Sequence, residues 1–134
     1  MKLNTALRNL FADILVSMFD QQIKLYSGTM PATGDTAPTG VLLAEFRYPV
    51  SGPPVFDATS VGGVSSIVPY SGSATMYSTV ALASGTVGYA MLGSGTNRIY
   101  CTVGTSGAEF ILSALDLKVG ESYNIASGAI TVLE

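Results

Sequence analysis

The stretch IKLYSGTMPATGDTAPTGVLLA, residues 23–44, sets the pattern for the whole chain. Ile23, Lys24, Leu25 and Tyr26 open it with the alternation of a half-buried strand, and Val41, Leu42, Leu43 and Ala44 close it with an apolar run of strand length. Between them, Ser27 to Gly40 is a long Thr/Gly/Pro segment with no helical period. A connection of that length inside a small domain is more often a contact loop than a passive one. Pro31 and Pro38 fix their own φ and push their predecessors toward extended backbone, while Gly28, Gly34 and Gly40 permit positive φ. The loop is therefore expected to be extended and shaped, with Asp35 bracing it as an Asx-type turn residue.

Upstream, Asn4 or Thr5 can cap a helix over residues 4–20. Leu3, Leu7, Leu10, Ile14 and Met18 lie along one line and Phe11, Leu15 and Phe19 along the next, giving a broad apolar face. Such a helix can cover one face or open end of a sheet, or insert into a partner, and the width of the face permits both. Lys2 and Arg8 followed by LFADILVSMF imitate a secretion signal, but Asp13 interrupts the apolar run and no small-x-small cleavage pattern follows. A retained helix is expected, and no uninterrupted run is long enough to span a bilayer.

Downstream, short strands punctuated by turns are predicted over 22–26, 41–48, 64–68, 75–82, 86–92, 98–103, 108–115, 122–126 and 129–132. The dipeptides Gly62-Gly63, Ser84-Gly85, Gly93-Ser94, Ser106-Gly107 and Ser127-Gly128 mark several of the turns. Strands at this spacing imply a mainly β fold, and the long first loop permits a crossing between sheets. The expected architecture is a jelly-roll-like antiparallel β-sandwich with one N-terminal α-helix, built as a single domain over 1–134 with the sandwich over 22–133. Val50 to Gly63 reads as a second irregular stretch, since Pro53 and Pro54 exclude a central strand. Phe56 within it is either tucked into the core or an exposed contact.

Composition narrows the function. Charged residues are 11% of the 134, against about 25% in an ordinary soluble domain, while hydrophobic residues are 48% and mean hydropathy is +0.44. Part of the surface is therefore expected to be buried in an assembly. The net charge of -3 and the scattering of Lys2, Arg8, Lys24, Arg47, Arg98 and Lys118 argue against a nucleic-acid partner, which needs clustered cations to release counterions. With one cysteine, Cys101, there is no intrachain disulfide and no thiolate-rich metal site, and its place in the alternation Ile99, Cys101, Val103 puts it on an inward strand face. With no histidine, Ser-His and Cys-His catalysis are excluded. The Gly-rich runs GTVGYAMLGSG and VGTSGA lack the Lys-Ser/Thr of a phosphate loop and read as hairpin turns. The nine acids form no D-x-D run. We read the chain as a non-enzyme without metal or cofactor.

Tyr26, Ser27, Gly28, Thr29, Pro31, Ala32, Asp35, Ala37, Thr39, Gly40, Leu42, Leu43 and Ala44 together make a pattern that resembles the signature of a family of small virion structural proteins of tailed bacteriophages. Thr5 to Asn9 in the opening helix and Val103 to Leu112, with Glu109 where the family usually has Asp, agree with it; Asn97-Arg98-Ile99-Tyr100 stands where the family has an aromatic-Arg pair. The resemblance implies a virion part. Joined to the composition, it leads us to expect a capsid decoration or cement protein, assembled in the host cytoplasm onto the outer surface of the head, with the major capsid protein and its own copies as partners. Contacts to the shell are expected from Thr29, Met30, Pro31, Thr33, Asp35, Thr36, Pro53, Pro54 and Phe56, and dimerisation from Leu7, Phe11, Leu15 and Phe19. The alternatives are a tail or baseplate component, or a β-sandwich glycan-binding module, although Trp, the usual stacking platform for sugars, is absent.

Overall fold

The computed structural model describes residues 3–18, 22–47, 56–61, 64–69, 78–128 and 130–131. One helix, α1 (Thr5–Met18), opens the chain. Asn4 is its cap, with the Leu7 N–H donating to Asn4 Oδ1 at 2.8 Å and the Arg8 N–H to the Asn4 carbonyl at 3.1 Å. The strands are β1 (Gln22–Ser27), β2 (Leu42–Arg47), β3 (Phe56–Val61), β4 (Val64–Pro69), β5 (Ser78–Val80), β6 (Gly85–Ser94), β7 (Asn97–Cys101), β8 (Val103–Gly104), β9 (Phe110–Leu112), β10 (Asp116–Leu117), β11 (Ser122–Gly128) and β12 (Ile130–Thr131).

They form a five-stranded sheet in which β10, β6, β1 and β2 are neighbours and β7 also pairs with β6, a four-stranded sheet ordered β5-β11-β9-β8, and a three-stranded sheet ordered β12-β4-β3. Among the described residues, all pairings are antiparallel except β8 with β9. The fold is thus mainly β, antiparallel, with one N-terminal helix. This strand order does not by itself establish a jelly roll.

β1 and β6 explain why the chain can be so apolar. In β1, Ile23 and Leu25 face the main core, where they meet Leu43, Phe46, Ala90, Leu92, Cys101, Phe110 and Ile125. Both are fully buried, and each contributes roughly 2 kcal/mol of transfer free energy. Alternate residues of β6, Tyr89 and Met91, point to the other face and form a second cluster with Tyr26, Leu42 and Tyr100. A sheet buried on both faces produces a continuous apolar run, which is what Val87 to Leu92 shows.

Several expected boundaries shift. The predicted strand over 98–103 divides into β7 and β8, because β7 pairs with β6 whereas β8 turns to run parallel beside β9. The strand expected over 108–115 is confined to Phe110–Leu112, and the two-residue bridge β10 follows it. The clearest correction concerns Val50 to Gly63. Its second half is β3, which pairs residue for residue with β4 from Phe56↔Pro69 to Val61↔Val64. Backbone pairing there overrides the weak strand preference of Asp57 and Ser60, and the prolines that argued against a strand lie before it. Pro53 and Pro54 lie outside the described residues, as does the side chain of Phe56.

Candidate functional site

The loop between β1 and β2 lies over the outer face of the five-stranded sheet and is fixed at its roots, its middle and its underside. At the roots, the Ser27 N–H donates to the Val41 carbonyl at 3.0 Å, and the Val41 N–H donates to Ser27 Oγ at 3.0 Å. The chain passes very close to itself here. A Cβ on Gly40 would stand 1.7 Å from the Ser27 carbonyl oxygen, and one on Gly88 of β6 would stand 1.8 Å from that of Gly28. Only glycine fits either position.

Arg98 of β7 holds the middle. Its Nε donates to the Gly34 carbonyl at 2.8 Å, Nη2 to the Asp35 carbonyl at 2.7 Å, and Nη1 to the Gly95 carbonyl at 2.9 Å. Two residues along the same strand face, the Tyr100 hydroxyl donates to the Thr36 carbonyl at 2.6 Å. Within the loop the Thr36 N–H donates to the Thr33 carbonyl at 3.2 Å, and the two hydroxyls lie 3.0 Å apart. The expectation that the Asp35 carboxylate would brace the loop is corrected: the bracing atom is its backbone carbonyl, and the donor comes from β7.

Underneath lie three tyrosines. Tyr26 and Tyr89 stack with ring centroids 5.4 Å apart, and Tyr100 meets Tyr89 edge-on at 5.6 Å. Burial pushes the Tyr26 and Tyr100 phenols above their ordinary value, with the nearby Arg98 charge pulling Tyr100 partly back. Tyr100 acts as a hydroxyl donor in its bond to the Thr36 carbonyl.

Beside this brace is an open cleft of ≈ 320 Å³, lined by Met30, Pro31, Ala32, Thr33 and Gly34 from the loop and by Arg98, Ile99 and Tyr100 from β7. Its polar lining consists of an arginine, a threonine and a tyrosine. Such a lining can bind and orient. Among the described residues, no group of three or more His, Cys, Asp or Glu side chains is placed to hold a metal ion.

The expected contact residues Met30, Pro31 and Thr33 line this cleft, and Asp35 and Thr36 sit on its held rim. Thr29 is exposed beside Met30. Sequence reasoning missed Arg98, Tyr100 and Tyr89 as partners of the loop. A local signal existed in the alternation of Arg98 and Tyr100, which places both on one strand face, but no sequence spacing reveals that the face looks at residues more than sixty positions earlier.

A smaller loop is built the same way. Glu109 Oε2 accepts the Thr102 N–H at 2.7 Å and the Thr102 hydroxyl at 3.1 Å, while the Glu109 N–H donates to Thr102 Oγ1 at 3.0 Å. Glu109 therefore closes the 103–108 turn. Cys101 is fully buried, and burial pushes its thiol well above the usual range.

On α1, which lies against β3 and β4, Leu7, Leu10, Phe11 and Ile14 remain 39–53% exposed, whereas Arg8 and Asn9 are half-buried. Among the described residues of the apolar stripe, these four are only partly covered by the chain's own sheet. Phe19 and the Leu15 side chain lie outside the described residues. No protein-family model, curated protein or solved structure matches this chain.

Proposed function

We propose that the chain is a capsid decoration protein of a tailed phage, bound to the outer surface of the head and stabilising the mature shell without a chemical step. The observation that carries the reading is the braced loop, a long exposed segment held in one shape by Arg98, Tyr100 and the Ser27–Val41 clasp. A loop ordered before binding does not lose that conformational entropy on contact, so more of the contact energy appears as affinity. The resemblance of this loop to tailed-phage virion proteins, the low charge content and the apolar stripe on α1 support the same reading.

The mechanism is linkage. A protein that binds the expanded lattice and not its precursor lowers the free energy of the expanded state by its binding energy at every site. That amounts to about 2.7 kcal/mol per site at a free concentration one hundred times Kd. Repetition over a symmetric shell turns a modest single contact into a large total. In this reading the loop touches the major capsid protein, and the exposed stripe of Leu7, Leu10, Phe11 and Ile14 joins two copies across a local two-fold axis.

Two variants test the assignments. Deleting Thr33–Thr36 is expected to abolish binding to expanded shells and the heat resistance it confers; unchanged binding would refute the loop assignment. Phe11→Asp, in soluble folded protein, is expected to give monomers by light scattering, and an intact oligomer would remove α1 from the self-contact.

A further inference from the structure

We infer that the cleft beside Met30 and Arg98 receives an acidic side chain flanked by an apolar one, presented by an extended segment of a partner protein. The inference rests on the contact role given to the loop above and adds the chemistry of what the loop contacts.

The first observation is an uncompensated charge. Arg98 donates through Nε, Nη1 and Nη2, and all three acceptors are neutral backbone carbonyls. A guanidinium has five N–H groups, so two remain for a ligand. Among the described residues no carboxylate pairs with it, and its charge is felt at Tyr100. The three bonds fix the planar fork before any ligand arrives, so a carboxylate meets an oriented donor that loses little freedom on binding.

The second observation is the rest of the lining. Met30, Pro31 and Ala32 of the loop supply an apolar wall to the same cleft that Arg98 lines, with Thr33 beside them, while the Ile99 side chain packs toward the main core. A volume of ≈ 320 Å³ suits one or two side chains. A free anion would leave the apolar wall unused, and a purely apolar side chain would leave the guanidinium facing nothing. A carboxylate next to Leu, Ile or Val uses both.

The same features favour peptide over an acidic sugar. Tyr100 is the one aromatic in the lining, and its hydroxyl proton is committed to the Thr36 carbonyl, so it has no donor left for a sugar oxygen. An extended segment also matches the open form of the cleft, which lies along β7.

The test is a titration of the full ¹⁵N-labelled chain, following backbone amides and the Arg98 Nε–H by NMR. The probes are acetyl-Leu-Asp-Leu amide, its Asn counterpart and glucuronic acid. The acidic peptide is expected to shift Thr33, Gly34, Arg98 and Tyr100 saturably with a Kd on the order of 1 mM, to weaken as salt is raised, and to bind about tenfold more tightly than the Asn peptide. Ala32→Phe, at an exposed position on the cleft wall, is expected to abolish these shifts while the Arg98 Nε–H signal keeps its position. Equal binding of both peptides, no saturable shift, shifts located elsewhere, or tighter binding of glucuronic acid would each overturn the inference. Because the titration uses the isolated chain, its failure removes the cleft and leaves the capsid reading to be judged on particles.

Discussion

Replacing Arg98 by Ala removes the three hydrogen bonds that hold Gly34, Asp35 and Gly95 in place. A bond from a charged donor is worth roughly 1.5–3 kcal/mol where water is excluded. Here all three lie at exposed positions, where the freed carbonyls regain water, so roughly 0.5–1 kcal/mol apiece is the appropriate scale. The sum is about 2 kcal/mol, or roughly thirtyfold in an opening equilibrium. The loss falls on the loop and not on the core, because Ile23, Leu25 and Ala90 are packed independently of it. Amide exchange in native protein is the assay. The Thr36 and Val41 amides, which bond Thr33 and Ser27, are expected to exchange about thirtyfold faster in Arg98→Ala, with little change at Leu25 or Ala90. Arg98→Lys, which keeps the charge but loses the fork, is expected to fall between. Unchanged exchange at Thr36 and Val41 in Arg98→Ala would refute the bracing argument.

Gly88→Ala places a methyl group 1.8 Å from the Gly28 carbonyl oxygen. It is expected to cost more than about 3 kcal/mol or prevent folding, read from the denaturant midpoint. Glu109→Ala frees the Thr102 N–H and hydroxyl and is expected to cost about 1–2 kcal/mol, with Glu109→Gln losing less because it keeps an acceptor oxygen. Cys101 is expected not to react with a maleimide in native protein and to react fully in denaturant, so mass spectrometry after labelling reports unfolding. Tyr26 and Tyr100 have phenols raised by burial, so no stability change from them is expected below the ordinary phenol value of 10.0. As pH rises past that value the unfolded chain releases protons that the folded chain retains, and stability falls; denaturant melts across the alkaline range check the sign.

The β1–loop–β2 unit was legible because its signals are local: alternation in Ile23 to Tyr26, prolines and glycines through the loop, and an apolar return at Val41. Asn4 as a cap and the buried Cys101 were legible for the same reason. What escaped depends on pairing at a distance. Phe56–Val61 has a mediocre strand sequence and becomes β3 through its ladder with β4. Asp35 has the composition of a turn residue, yet its role is set by Arg98, sixty-three positions away. Gly40 and Gly88 announce flexibility in a sequence, while here they serve close backbone approach, a constraint visible only when the two chain segments are brought together.

The proposed role is to coat a phage head in many copies. Its most direct test is the ratio of this chain to the major capsid protein in purified particles, by quantitative mass spectrometry. A coat on the head requires a ratio near one to one or a simple lattice fraction of it, and a ratio amounting to a few copies per particle would contradict that role.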